Sequence, residues 1–166
     1  MNSTDMMNNF RYVSICRELT QDAGWNIDII EGEWKGVSSA GYPGKPCRQV
    51  PQFRLTITQP CSAYVSLTQL DDTAKNFTGK NSVGWMVVRL DGKLMNKFNP
   101  KAIIASSGNP VNYRVISKEV EFQNPGDFTV VCGSFYPGEK GEGKFELKVY
   151  ARDPRVKIAR LNYIDE

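Results

Sequence analysis

Histidine is absent from all 166 residues of this chain, and its absence narrows the chemistry that the chain can perform. Nucleophilic sites of the Ser–His–Asp and Cys–His kinds need an imidazole that exchanges a proton near neutral pH. No pair of acids lies in a context that suggests catalysis by carboxylates alone. We therefore predict that the chain is not an enzyme. An enzyme of unusual chemistry is kept only as the least favoured of three classes of function.

The cysteines are the second group with chemical potential, and their spacing argues against a metal site. None of them forms a CxxC pair, and the common zinc sites that use histidine are excluded as well. The chain also lacks the cysteine density of a disulfide-stapled secreted domain. We predict free thiols at all four positions, which are Cys16, Cys47, Cys61 and Cys132.

Basic residues are gathered in two stretches. Positions 92 to 118 hold five basic residues and no acidic one, and positions 140 to 160 hold seven basic residues against three acidic ones. Such a patch attracts anionic lipid headgroups at about 1 kcal/mol per Lys or Arg, although a net charge of only +3 also fits an ordinary lysine-rich surface. The candidate lipid-binding residues are Lys93, Lys97 and Lys101, joined by Lys144 and Lys148 if the fold brings them alongside. No aromatic-interleaved basic motif indicates nucleic acid.

The elements that position these residues follow a period of two, which is typical of half-buried β-strands. Turn signals such as Asp91-Gly92 and Pro125-Gly126 separate the alternating runs. We predict an all-β fold, an antiparallel two-sheet sandwich of about eight strands, with one strand near positions 83–90 covered on both faces. Its predicted core consists of Phe53, Leu55, Val65, Leu67, Val87, Phe128, Val130, Phe145, Leu147 and Val149.

Two local features and the domain limits complete this prediction. The apolar positions change phase between Val115 and Val120, which indicates a bulge or a short break near residues 116–118. Residues 1–24 are predicted to be an extension, a first strand or a short helix, and residues 25–166 the sandwich domain. No apolar run approaches the roughly 18 residues of a membrane span, and the first residues lack a leader pattern. We expect a cytoplasmic protein, with peripheral membrane association as the alternative.

Two blocks of sequence resemble the third domain of the calpain large subunit, the C2-like module that follows the papain-like protease core. The first block is EGEWKGVSSAG at 31–41 with PQF at 51–53, and the second is PGDFTVVCGSFYPG at 125–138 with GKFELKVY at 143–150. The resemblance spans about residues 30 to 152. Departures from the family pattern at Tyr42, Val50 and Cys132-Gly133 imply an atypical calpain with tandem C2-like modules and no EF-hand domain.

The resemblance also implies where calcium would act. In that family an acidic loop is proposed to respond to calcium, and the nearest equivalent here offers only Asp71 and Asp72, with Asp91 as a third carboxylate from a neighbouring loop. Calcium takes six to eight oxygen ligands, several of them charged. We therefore expect no cofactor, and only weak binding if calcium binds at all; a solvated turn is the alternative.

The function implied by the resemblance is that of a non-catalytic regulatory and interaction module of a calpain-type cysteine protease. Its first partner would be the protease core of the same parent chain, or another protein. The alternative is an independent C2-type module that targets its parent protein to anionic phospholipids, with at most weak dependence on calcium.

Overall fold

The computed structural model describes residues 18–39, 41, 49–70 and 81–161, and the following description is confined to them. Within these ranges the chain forms β-strands joined by turns, with short 3-10 segments such as Gly36–Ser38, Pro100–Ala102 and Gly138–Gly141. The strands are β1 Asn26–Trp34, β2 Gln52–Ile57, β3 Cys61–Gln69, β4 Val83–Val88, β5 Ile103–Ser106, β6 Val115–Phe122, β7 Gly126–Ser134, β8 Gly143–Ala151 and β9 Lys157–Arg160.

These strands form two antiparallel sheets that face each other. The first sheet has the order β1-β8-β3-β6, and the second has the order β5-β4-β7-β2-β9. Because side chains alternate along each strand, one face of each sheet is directed into the sandwich and the other outward. The predicted all-β, two-sheet sandwich is confirmed, with nine strands in the described residues where about eight were expected.

The core is filled by the alternating residues that the sequence singled out. All ten predicted core residues are at most 4% exposed, and they belong to one apolar cluster that also contains Trp34 and Trp85. β4 is buried at every position, as expected for a strand covered on both faces. Its inner residues Val83, Trp85 and Val87 join the main core, whereas Met86 and Val88 pack into a second cluster on the outer face of the second sheet.

The predicted bulge or short break in β6 is wrong. β6 pairs with β3 without a register shift from Val115 to Phe122. Ile116, Val120 and Phe122 are buried, while Val115 is 48% exposed on the outer face. The phase of the strand is constant, and the apparent change arose because an apolar residue occupies an outward position. The register shift that does occur lies between β4 and β5, at Val87/Val88.

The open sides of the sandwich are closed by polar contacts between edge strands of different sheets. On one side the Asp28 carboxylate accepts a hydrogen bond from the Ile158 amide (2.7 Å), which joins β1 to β9. On the other side the Lys118 ammonium donates to the Ser106 carbonyl (3.1 Å), which joins β6 to β5. Lys118 occupies an inward phase of its strand, and its long side chain carries the charge out to the rim.

The N-terminal segment contributes no regular element in its described part. Residues 21–24 form a turn, and 18–20 and 25 have no regular structure, so neither the first strand nor the short helix considered for residues 1–24 forms over 18–24. Residues 1–17 lie outside the described residues. Among the described residues, no helix is long and apolar enough to cross a membrane.

Candidate interaction surface

The segment between β4 and β5, residues 89–102, lies against the outer face of the second sheet and carries Lys93, Lys97 and Lys101. We call it the basic loop. Its two ends meet, since the Arg89 amide donates a hydrogen bond to the Ala102 carbonyl (2.8 Å). A surface loop with joined ends and a packed interior is an Ω-type loop, a form that is frequently functional.

Apolar side chains fix the basic loop to the sheet beneath it. Met95 is 2% exposed and packs into the second cluster with Met86, Val88 and Val131, while Leu90 contacts the same cluster from the side. Burial of a methionine side chain of this kind stabilises the packed arrangement by about 1.5–3 kcal/mol. The loop is therefore a packed part of the domain.

Hydrogen bonds from two side chains also fix the orientation of the basic loop on the sheet. The Gln52 side-chain amide donates to the Met95 carbonyl (3.1 Å) and accepts from the Met95 amide (2.7 Å), so that it pairs with the loop as a neighbouring strand would. The Thr129 hydroxyl donates to the Lys93 carbonyl (2.7 Å). Since Gln52 and Thr129 belong to β2 and β7, the loop is held by two different strands.

A tight turn at the start of the basic loop depends on Gly92. Asp91 and Gly92 both have positive φ, at 49° and 66°. A Cβ added at Gly92 would lie 2.7 Å from Cδ of Arg54 and 3.0 Å from Cβ of Asp127. Only glycine fits this conformation and this close approach, and the Arg54 side chain runs across the turn as a result.

Further basic residues, in the basic loop and on the strands beside it, lie on the same side of the sandwich. Arg54 and Lys157 lie on the outward phase of β2 and β9, where Lys157 is the neighbour of Thr56, and both are exposed along with Arg89. Among the described residues, the acids on this side are Asp91 and Asp127, and the Asp127 carboxylate accepts a hydrogen bond from the Thr56 hydroxyl (2.6 Å). The exposed basic side chains here are Arg54, Arg89, Lys93, Lys97, Lys101 and Lys157.

The second group of candidate lysines lies on the opposite outer face. Lys144 and Lys148 point outward from β8 in the first sheet, on the side of that strand away from buried Phe145 and Leu147. The Lys148 ammonium forms an ion pair with Glu146 (2.6 Å), and Lys144 is the cross-strand neighbour of Glu33. The fold therefore does not bring Lys144 and Lys148 alongside the basic loop. These two lysines were expected to join Lys93, Lys97 and Lys101 only if it did.

Counted over the described residues, the outer face of the first sheet is acidic overall, because five outward glutamates outnumber Lys144 and Lys148. Glu31 and Glu146 stand directly opposite each other on β1 and β8, an arrangement that is unfavourable unless a cation intervenes. The ion pair of Lys148 with Glu146 supplies that cation. The outward glutamates of this face are Glu31, Glu33, Glu119, Glu121 and Glu146. The two outer sides of the sandwich thus carry charge of opposite sign.

Of the three candidate calcium ligands, Asp91 lies in the described part of the chain, where it is exposed just after β4. Asp71 and Asp72 lie outside the described residues, so the calcium site stays a prediction. Among the described residues there is no group of three or more His, Cys, Asp or Glu side chains that could hold a metal ion.

The two cysteines in the described ranges are free thiols, and Cys16 and Cys47 lie outside those ranges. Cys132 is fully buried in the core, and burial raises the pKa of its thiol far above the ordinary value. Cys61 is half-buried at the start of β3, and burial, with a smaller contribution from the nearby Asp153 carboxylate, raises the pKa of its thiol too. A raised pKa disfavours the reactive thiolate.

Sequence reasoning found the lysines of the basic loop but missed the residues that position and extend it. Gln52 and Thr129 carried no signal, because a polar residue on a strand is ordinarily solvent-exposed. Arg54 and Lys157 were missed as partners of the loop because only the sheet order β4-β7-β2-β9 places their strands in the sheet that carries the loop.

Comparison with known proteins was informative at the level of the family. A family model described as calpain large subunit, domain III matches residues 30–150. No curated protein matches the chain. The matched range begins in β1 and ends in β8, so it takes in most of both sheets and the whole basic loop.

Proposed function

The chain belongs to the calpain large subunit domain III family, and we propose that it acts as a regulatory and interaction module of a calpain-type cysteine protease. Domain III is a non-catalytic part of calpains. The proposed partner is the protease core of the same parent chain, or another protein. Because the two lobes of such a core must come together for activity, a module that favours one arrangement regulates by shifting populations.

The observation that carries this proposal is the separation of charge between the two outer sides of the sandwich. Among the described residues, six exposed basic side chains lie on or beside a packed loop on one side, and five outward glutamates outnumber Lys144 and Lys148 on the other. Complementary charge orients two protein surfaces and speeds their encounter. A module with opposite charge on its two sides is therefore favoured to dock in one orientation. A loop already held in place loses little conformational freedom on binding.

A titration of the chain against the protease core of its full-length parent tests this proposal. We expect the Lys93/Lys97/Lys101→Glu variant to bind at least about tenfold more weakly, since it reverses three charges at the docking side. The matched control is Lys35/Lys140/Lys144→Glu, which makes the same change in net charge elsewhere on the surface. Equal weakening in both variants, or a parent protein with no Cys–His–Asn protease core, would contradict the proposal.

A second function is favoured by one specific observation, the exposure of Lys93, Lys97 and Lys101 on one packed loop with Asp91 as its single acid. This arrangement supports targeting of the parent protein to anionic membrane lipids. Sedimentation with phosphatidylserine vesicles at 50 and 500 mM salt is the test. Charge-driven binding should weaken as the Debye length shortens, from about 10 Å at 0.1 M salt to about 3 Å at 1 M. Calcium should have little effect, and binding that ignores both salt and charge reversal would contradict this function.

A further inference from the structure

The basic loop contains one exposed aromatic side chain between two of its lysines. Phe98 is 37% exposed, and it follows Lys97 directly and precedes Lys101 by three positions. Three other apolar residues of the loop, Leu90, Met95 and Ala102, contact the cluster beneath, whereas Leu94 is half-buried and belongs to neither cluster. Phe98 joins neither apolar cluster formed by the described residues.

The backbone around Phe98 is held in a defined turn. The Asn99 side chain accepts a hydrogen bond from the Lys101 amide (3.1 Å), and the Ala102 amide donates to the Asn99 carbonyl (3.1 Å). Pro100 occupies the first position of this 3-10 turn, where its fixed φ suits the geometry. On the other side of Phe98, the chain is held at Met95 by Gln52. The ring and its two flanking lysines are thus carried on a segment fixed at both ends.

We infer that Phe98 is an apolar anchor of the basic loop, which enters the interfacial layer of an anionic bilayer while Lys97 and Lys101 contact the headgroups. This inference rests on the second proposed function. The flanking charges select an anionic surface, and an aromatic ring between lysines matches the interface, where apolar and charged layers meet. An acidic protein surface would attract the lysines, but it would offer no hydrocarbon layer in which the Phe98 ring could be buried.

The anchor changes what the salt experiment should show. Charge-driven binding falls when salt screens the lysines, but burial of an apolar ring does not. Wild-type chain should therefore keep a fraction of its binding to phosphatidylserine–phosphatidylcholine vesicles at 500 mM salt. Burial of one aromatic ring corresponds to a roughly tenfold change in affinity, so Phe98→Ala should lose about tenfold of the binding that survives at high salt. Phe98→Trp should retain it.

The matched control is Phe135→Ala, which removes a ring that is 48% exposed on the connection between β7 and β8. The inference is supported if Phe98→Ala loses the salt-resistant binding and Phe135→Ala keeps it, with unchanged urea midpoints. Equal loss in both variants, or no effect of Phe98→Ala while wild type binds, overturns the anchor and leaves the lipid function standing. A wild-type chain that binds no anionic vesicle at any salt overturns both, and binding only to an acidic protein would assign the loop to the protease-regulation function.

Discussion

At the scale of single residues, one close contact in the core places a glycine under an aromatic ring. Gly32 points inward from β1, and a Cβ added there would fall within 2.2–2.8 Å of three ring carbons of Phe145. The same ring lies 4.3 Å from the Trp34 ring, centroid to centroid, and packs edge-on against Phe53. Because neighbours block it on several sides, the Phe145 ring cannot move aside without disturbing both sheets.

We therefore expect Gly32→Ala to lower the free energy of unfolding by about 1–3 kcal/mol through overpacking. Urea denaturation followed by tryptophan fluorescence measures this change. Gly143→Ala, on the adjacent strand, is the matched control, because its added methyl group would have 3.5 Å to the nearest atom. A control variant that loses as much stability as Gly32→Ala would show that the ring contact is not the cause.

A second residue-scale feature is the Asp153 carboxylate, which is 6% exposed and has several donors. Arg155 donates to it from both its guanidinium (2.9 Å) and its backbone, and the Thr58 hydroxyl donates at 2.6 Å. The side-chain bonds from Arg155 and Thr58 lower the pKa of Asp153 far below its ordinary value. This carboxylate ties the turn after β8 to the end of β2.

The direction of the shift fixes the pH dependence. With a lowered pKa in the folded state, the unfolded chain binds the proton more readily, so the contribution of Asp153 is complete above about pH 4 and declines as the solution becomes more acidic. Asp153→Asn should unfold more easily than wild type at pH 7, and the difference should shrink between about pH 4 and pH 2. Urea titrations at several pH values test this, with Asp22→Asn at an exposed turn as control; a difference that stays constant with pH would contradict it.

At the scale of elements, the basic loop shows how a segment without regular structure is held by side chains of a sheet. Gln52 supplies one donor and one acceptor to Met95, and both groups of Met95 are buried under the loop. Replacing the amide by an apolar group of similar size leaves these backbone groups without partners, which costs about 1–3 kcal/mol.

Gln52→Leu should therefore destabilise the domain by about that amount and should increase hydrogen exchange of the Met95 amide more than that of core strand amides. Hydrogen exchange measured by mass spectrometry or NMR distinguishes the Met95 amide from the core strand amides. Gln123→Leu, at an exposed position before β7, makes the same chemical change without touching the loop. A uniform loss of protection from hydrogen exchange across both sheets in Gln52→Leu would contradict this prediction. It would mean that the Gln52–Met95 hydrogen bonds support the whole domain and not the loop alone.

The elements also show which parts of the molecule a sequence predicts. Alternation identified the core because a residue such as Leu55 or Val149 has one inward phase, whatever strand it pairs with. It misread β6, because Val115 is apolar yet outward and Lys118 is charged yet on the inward phase. The lysines of the basic loop could be found by counting charge. Their separation from Lys144 and Lys148 could not, because it depends on which sheet each strand joins.

At the scale of the whole molecule, the separation of charge between the two outer sides makes a prediction that needs no partner. The net charge of +3 is a sum over the whole chain, but a charged surface interacts mainly with the side of the protein that faces it. A negatively charged resin should therefore hold the chain through the side of the basic loop. Lysines elsewhere lie among acids, as Lys144 lies opposite Glu33 and Lys140 follows Glu139.

Two triple variants separate net charge from its distribution. Lys93/Lys97/Lys101→Gln and Lys35/Lys140/Lys144→Gln both bring the formal charge from +3 to zero, and all six lysines are exposed. If net charge controlled retention, both variants would elute from a sulfonate column at the same salt concentration. Because the first variant removes half of the basic side chains on one side, and the second removes lysines that neighbouring acids already offset, we expect the first to elute at distinctly lower salt. Identical elution would mean that the molecule presents no preferred side to an anionic surface, and the orientation assumed for both proposed partners would then have no electrostatic basis.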